Sequence, residues 1–259
     1  MQLDLAGMSA DEAYRWLTAT VTPRPIAWVT SVSSAGVVNL APFSFFQVIC
    51  DQPPTLMVNV GLNPGGRLKD TLVNARETGQ MVWQYNLGAS APGALTLADG
   101  RIYVGSVNRY LTCLSAEDGT ELWRSPQYGG WVWGEALVVG DGIYFGSLDG
   151  VMHALNTADG SQRWQDVKLD GAIRAGPALS GEMLVVGTES GYVYTLDLAD
   201  GAKSLIFGDR EDEKLGAVLS TPIVVGDMIY VSTAAANIAA LDLTKRDPMV
   251  WVYPPTENK

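Results

Sequence analysis

Residues 65–71, with the sequence GGRLKDT, carry the groups in this chain that could bind a phosphate. The pattern of residues 65–79 predicts a glycine-rich loop that leads into a helix, and the N–H groups at the start of a helix attract anions. Lys69 adds a cation and Thr71 a hydroxyl, and both kinds of group bond phosphate oxygens. The segment therefore predicts an anion site where this helix begins.

The other reactive side chains form no catalytic pattern in the sequence. His153 is the only histidine, and because the sequence shows no partner for it we exclude a Ser-His-Asp triad and interpret it as an ordinary strand residue. Cys50 and Cys113 lie in apolar runs without metal-type spacing, which predicts two buried small side chains. We interpret the acidic run 209–213 (DREDE) as a solvated loop rather than a cation site.

Composition narrows the class of protein. The chain has 259 residues and a net charge of −11, which argues against a nucleic-acid partner because phosphate binding needs clustered cations. It contains no apolar run long enough to span a membrane and no basic-then-apolar leader, so we expect a soluble, cytoplasmic protein. The charge is uneven: residues 1–80 carry a net −1 and the remainder carries −10.

A repeat of about forty residues runs through the acidic part of the chain. Each unit has a short apolar run, two strand-like runs, an Asp-Gly turn in three of the four units, and an outer run with an aromatic residue. The first of the two strand-like runs reads IYVGS at 102–106, IYFGS at 143–147, LVVGT at 184–188 and IYVST at 229–233. Four short strands per period predict four blades of a β-propeller.

This repeat resembles the PQQ-like, or quinoprotein-type, propeller repeats over residues 81–253. The resemblance implies that an aromatic residue of each outer strand packs between adjacent blades. The aromatic residues are Trp123, Trp164, Phe207 and Trp251, and the blades are Gly93–Trp123, Gly134–Trp164, Pro177–Phe207 and Thr221–Trp251. Residues 81–87 (MVWQYNL) look like a further outer strand. PQQ itself is not expected, because the sequence lacks the adjacent cysteine pair and the calcium site of PQQ dehydrogenases.

Two tryptophans between the first two blades leave two interpretations open. Trp131 and Trp133, in YGGWVWGE, could form an exposed interaction surface or pack against the next blade.

The first eighty residues resemble the flavin reductase-like, FMN-binding split-barrel family. The resemblance rests on three ordered motifs: PRPIAWVTS, then G-x-x-NLAPFSFF, then GGxxKDTxxNxxETG. It implies that these motifs surround FMN and that the third lies near the phosphate. The implied FMN-binding residues are Thr30, Ser31, Asn39, Ala41, Ser44, Lys69, Asp70 and Thr71.

The predicted fold is therefore mainly β: a partial FMN-binding split barrel over 1–79, then an incomplete four-blade PQQ-like propeller over 80–259. The main functional hypothesis is an FMN-binding, NAD(P)H-dependent oxidoreductase module joined to a propeller scaffold, with a weak or incomplete FMN site. One alternative is a non-enzymatic scaffold that binds a protein partner or self-associates through its propeller edges. Another is a chimeric chain without intact activity, joined at ETGQ (77–80), a string typical of both families. We assign no catalytic residue.

Overall fold

The computed structural model describes residues 27–43, 46–51, 54–58, 67–78, 85–208, 216–235 and 237–253. The chain divides into two compact units, Met1–Gln80 and Met81–Lys259. No helix among the described residues has the length and apolar character needed to cross a membrane.

Among its described residues, the first unit contains two strand pairs and one helix. Its elements are β1 (Ala27–Val32), β2 (Val38–Phe43), β3 (Phe46–Asp51), β4 (Pro54–Val58) and α1 (Asp70–Thr78). β1 pairs antiparallel with β2, and β3 with β4, as separate two-stranded sheets. Asp70 in the first turn and Arg76 in the last turn of α1 complement the helix dipole. The described strands show two hairpins, so the split barrel stays a prediction.

The second unit is built from four antiparallel sheets of four strands each, which we call blades 1 to 4. The four blades predicted from the repeat are confirmed. Blade 1 contains β5 (Thr96–Ala98), β6 (Arg101–Gly105), β7 (Leu111–Ser115) and β8 (Glu121–Arg124); blade 2 contains β9 (Leu137–Val139), β10 (Gly142–Gly146), β11 (Val151–Asn156) and β12 (Val167–Lys168). Blade 3 contains β13 (Ala178–Ser180), β14 (Met183–Gly187), β15 (Val193–Asp197) and β16 (Lys203–Phe207); blade 4 contains β17 (Ile223–Val225), β18 (Met228–Ser232), β19 (Ile238–Asp242) and β20 (Met249–Tyr253).

Asp-Gly turns connect the third and fourth strands of the first three blades. In each turn the aspartate Oδ1 accepts a hydrogen bond from the backbone N–H two residues later, and the glycine adopts a positive φ. The pairs are Asp118 with Thr120 at 3.0 Å, Asp159 with Ser161 at 2.9 Å and Asp200 with Ala202 at 2.8 Å. Because the same local chemistry recurs, the same hairpin recurs.

The apolar core lies between blades rather than inside any one of them. Three clusters of buried side chains fill the spaces between blades 1 and 2, blades 2 and 3, and blades 3 and 4. A single sheet would expose both of its faces, so each blade depends on its neighbours for burial.

A tryptophan from one blade lies on the turn glycine of the next blade. A Cβ added to Gly160 of blade 2 would lie 2.6 Å from the Trp123 ring of blade 1, and one added to Gly201 of blade 3 would lie 2.9 Å from the Trp164 ring. The Trp123 indole N–H also donates to the Thr157 carbonyl at 2.9 Å. These two contacts show how the aromatic residues predicted to lie between blades are seated.

The aromatic positions differ from the predicted pattern in two places. Trp164 lies in a bend between β11 and β12 rather than in the outer strand, which contains only Val167 and Lys168. Trp251 does lie in its outer strand, but it is 44% exposed, whereas Trp123 and Trp164 are 8% and 6% exposed. Of the predicted outer strand at 81–87, residues 81–84 lie outside the described residues, and 85–87 are not in a strand.

The Trp123 contact predicts that alanine substitution destabilises the protein more at one of two glycines that share the same backbone conformation. Gly100 and Gly160 have φ values of +71° and +72°, but an added Cβ at Gly100 meets no atom within 4 Å. We expect Gly100→Ala to cost about 1 kcal/mol of unfolding free energy through backbone strain alone. Gly160→Ala should cost a further ~1–3 kcal/mol because the methyl group also displaces Trp123. Urea denaturation of both variants measures the difference, and equal losses would contradict the proposed role of this contact.

Candidate functional site

Three of the predicted FMN-binding residues lie together in the first unit. Ser31 in β1 is opposite Asn39 in β2, and Thr71 lies in the first turn of α1. The Asn39 side-chain amide donates to Thr71 Oγ1 at 2.9 Å and to Ser31 Oγ at 3.4 Å. A hairpin and a helix start thus bring together residues that are up to forty positions apart in the sequence.

Asn74 joins this cluster and was not predicted. Its side-chain amide donates to Ser31 Oγ at 3.1 Å, and Asn74 and Thr71 are both buried. Its spacing in the sequence could have identified it, because a residue three positions after Thr71 lies on the same face of a helix. We call Ser31, Asn39, Thr71 and Asn74 the polar cluster; its four side chains are uncharged.

The other predicted FMN-binding residues are located less fully. Lys69 is half-buried just before α1, and Asp70 is exposed at its first position. Thr30 and Ala41 lie in β1 and β2, where their backbone partners are Leu40 and Val29. Ser44 lies outside the described residues, as does the glycine pair at 65–66.

The second unit contains a row of three polar side chains that are close in space but separate in sequence: a serine, a histidine and an aspartate. Ser147 Oγ lies 2.9 Å from His153 Nε2, and Asp166 Oδ1 lies 2.9 Å from His153 Nδ1, although the latter contact is not aligned as a hydrogen bond. Ser147 Oγ also donates to the Asp149 carboxylate. The sequence interpretation that His153 has no partner was wrong, because the segments after β10 and before β12 supply Ser147 and Asp166 to the imidazole in β11.

Burial prevents this row from acting as a nucleophilic triad. Ser147 is fully buried and His153 is 2% exposed, so no substrate can approach the serine oxygen. The ring of Tyr128 covers the imidazole at 3.9 Å between centroids, and Phe145 lies at 5.2 Å. Burial raises the pKa of Tyr128 to about 12, so this neighbour stays neutral. The arrangement is a hydrogen-bonded support inside blade 2, consistent with the prediction of an ordinary strand residue.

Cys113 is also a core residue. It is fully buried in blade 1, and burial raises the pKa of its thiol to about 11, so the thiolate is not formed near neutral pH. This confirms the prediction for Cys113; Cys50 lies in β3, and the predicted acidic run 209–213 lies outside the described residues. Within the described ranges, no group of three or more histidine, cysteine, aspartate or glutamate side chains could hold a metal ion.

An aromatic and cationic patch lies on the segment that connects blades 1 and 2. Trp131 is 45% exposed and stacks on Trp133, with 6.0 Å between ring centroids and 14° between planes. The Arg174 guanidinium lies 4.5 Å from the Trp133 ring centroid and pairs with Glu189. A shallow depression beside the patch is lined by Arg109, Gly129, Gly130, Trp131, Leu148 and Asp149. We call Trp131, Trp133 and Arg174 the tryptophan patch. The sequence left open whether the two tryptophans are exposed or packed against the next blade, and Trp131 is exposed.

The pKa of His153 should lie below that of an ordinary histidine. Burial lowers its pKa, and the carboxylates of Asp166 and Asp149 oppose that shift only in part. Because this is the only histidine in the chain, one imidazole proton NMR signal reports its titration. We expect Asp166→Asn to lower the pKa further, and Asp141→Asn, which removes a carboxylate paired with Arg163 on the surface, to leave it unchanged.

The same shift predicts how stability varies with pH. The unfolded chain binds the proton more tightly than the folded chain, so stability should rise with pH between the folded pKa and about 6.5. His153→Gln should remove this part of the pH dependence while leaving the carboxylate contribution at lower pH. A His153 signal that titrates above 6.5 would contradict both expectations.

The fold and the sequence both resemble known proteins. BamB of Moraxella catarrhalis has 24% sequence identity and a TM-score of 0.52, over 64% of this chain and 51% of that chain. The computationally designed protein Ika4 has 14% identity and a TM-score of 0.56, over 64% of this chain and 99% of that one. At these identities the likeness shows the propeller fold alone.

A curated relative covers a smaller part of the chain. An uncharacterised protein of Halalkalibacterium halodurans is 49% identical over 82 residues, which are 32% of this chain and 39% of that protein. The chain thus spans about two fifths of that relative's length, and about half the length of the BamB structure. Residues 69–258, most of the sequence, match the family described as outer membrane protein assembly factor BamB, and the chain therefore belongs to this family of PQQ-like repeat proteins.

Proposed function

We propose that the propeller unit is a non-enzymatic scaffold that binds a protein partner through the tryptophan patch. The observation that carries this proposal is the exposed Trp131, stacked on the half-buried Trp133, with Arg174 over the Trp133 ring. Tryptophan and arginine are the residues most enriched among those that dominate binding energy at protein interfaces. The family is described as an outer membrane protein assembly factor, and a scaffold that binds a protein partner is compatible with that description.

The shape of the patch also suits a protein ligand. Stacking on Trp133 and the ion pair with Glu189 hold Arg174 in place, so little side-chain entropy is lost when a partner binds. The Gly129–Gly130 segment lies against Asp149, where a Cβ would contact the Asp149 carboxylate or backbone. The resulting surface is rigid and partly apolar beside a shallow open depression, which favours an extended segment of a partner over a small molecule in a closed pocket.

Two tryptophans with nearly equal exposure provide a matched test of the scaffold. Trp131 is 45% exposed in the patch, and Trp251 is 44% exposed in blade 4. We expect Trp131→Ala to reduce, by at least about tenfold, the amount of a defined set of proteins that immobilised protein retains from an extract of the source cells. Trp251→Ala should retain the same set as the unaltered protein, with quantitative mass spectrometry as the readout. Equal retention by both variants would contradict binding through the patch.

We propose FMN binding by the first unit as a second candidate function. The proposal is supported by the hydrogen bonds among Ser31, Asn39 and Thr71, three residues that the flavin reductase resemblance had named. Thr71 and the half-buried Lys69 lie where α1 begins, and hydroxyl, ammonium and helix-start N–H groups suit the phosphate of FMN. When bound, FMN would supply the hydride chemistry, with NAD(P)H as the electron donor. These side chains would bind and orient the cofactor.

Titration with FMN tests this second function. We expect the protein to quench FMN fluorescence at micromolar concentrations, and Thr71→Val to weaken binding by at least about tenfold because a phosphate-bonding hydroxyl is lost. Thr78→Val, at the other end of α1, makes the same chemical change and should leave affinity unaltered. Circular dichroism verifies that both variants keep the fold. If the unaltered protein leaves FMN fluorescence unchanged, this unit is not a flavin module.

A further inference from the structure

One side of blade 4 is an exposed apolar sheet face. The strand register places six large side chains on this side: Ile223 opposite Tyr230, and Trp251 and Tyr253 opposite Ala240 and Ile238, with Val225 opposite Met228. Five of the six are exposed, and Tyr230 packs against Trp251 at 6.0 Å between ring centroids. We call Ile223, Val225, Tyr230, Ile238, Trp251 and Tyr253 the end face.

The equivalent positions in the other blades are buried by a neighbouring blade. Ile238 is 45% exposed, whereas Leu111, Met152 and Val193 at the same position of blades 1 to 3 are buried. The tyrosine–tryptophan pair also recurs, as Tyr103 with Trp123 at 5.8 Å and Tyr144 with Trp164 at 6.3 Å, where the next blade covers it. The end face therefore continues a type of interface that this chain already builds between its own blades.

The end face differs from the other faces at one position. In blades 1 to 3 a glycine at the end of the second strand admits an aliphatic side chain from the segment that leads to the next blade. The pairs are Gly105 with Val132, Gly146 with Ile173 and Gly187 with Val218. Blade 4 has Ser232 at this position, with its hydroxyl 2.6 Å from that of Ser220. Blade 4 therefore lacks the glycine that seats the connecting segment in blades 1 to 3.

The opposite side of the blade series, on blade 1, is more buried than the end face. Ile102, Val104 and Leu114 alternate with the residues of blade 1 that face blade 2, and they are buried. Head-to-tail association would therefore place the end face against side chains that are already buried. Contact between two end faces, related by a two-fold axis, uses the same patch on both copies.

Charge favours the same arrangement. The chain carries a net charge of −11, so most surfaces of two copies repel each other. None of the six end-face residues is charged at neutral pH, and Asp242, which borders the end face, is paired with Lys245 at 3.1 Å. Two apposed end faces would bury on the order of 1,000 Å², the lower limit of specific interfaces.

We propose that the end face is a homodimer interface, in which blade 4 of one copy packs on blade 4 of a second copy. This proposal is independent of the tryptophan patch and of FMN binding. Tyr230 and Trp251 form its centre, since they supply most of the aromatic surface. The interface is closed by its symmetry, so association stops at two chains.

Sedimentation velocity of the 259-residue protein from low to high micromolar concentration tests the proposal. We expect a dimer of twice 27.7 kDa, and no larger species. Trp251→Glu should raise the dimer dissociation constant at least about 100-fold, because the interface would bury an unpaired carboxylate. Trp131→Glu places the same charge at an equally exposed tryptophan outside the end face and should leave dimerisation unaltered.

A second variant guards against a folding defect. Ile223→Glu changes a different strand of the end face and should dissociate the dimer without altering the near-ultraviolet circular dichroism spectrum. A monomer at all concentrations, a series of species that grows beyond two chains, or equal dissociation by Trp131→Glu would each overturn the proposal.

Discussion

The seating of a tryptophan ring on a turn glycine is the contact on which the propeller unit depends. Each sheet has two apolar faces and little core of its own, so a blade is stable only where its neighbour covers it. Trp123 on Gly160 and Trp164 on Gly201 fix the distance between adjacent sheets, because any side chain on the glycine would push the ring away. The turn glycine thus has two roles: its positive φ closes the hairpin, and its missing Cβ admits the neighbouring blade.

Local chemistry explains why the blades could be predicted. An aspartate that bonds the backbone two residues later, followed by glycine, specifies the turn without help from distant residues. The flanking strands alternate or are wholly apolar, so the four-strand unit follows from short strings. The position of Trp164 could not be read in this way, since its bend depends on how the ring reaches Gly201 of another blade.

The sites were less predictable because their contacts are distant in sequence. Asp166 comes thirteen residues after His153, and only the fold of blade 2 brings its carboxylate to the imidazole. In the polar cluster, the family resemblance named Ser31, Asn39 and Thr71 but not Asn74, whose bond to Ser31 spans 43 residues. Likewise, the sequence showed Trp131 and Trp133 as neighbours, while the cation above them comes from Arg174, beyond the next blade's strands.

The contact between blades 3 and 4 is built differently from the first two. Blade 3 offers Val185 and Phe207 where blades 1 and 2 offer a tyrosine and a tryptophan, and the turn after β19 in blade 4 contains no glycine. This interface therefore lacks a ring seated on bare backbone, and it relies on small aliphatic side chains such as Val231 and Ala239. Blade 4 is therefore joined to the unit without the aromatic contact that connects blades 1 to 3, and a partial unfolding of the unit would begin at blade 4.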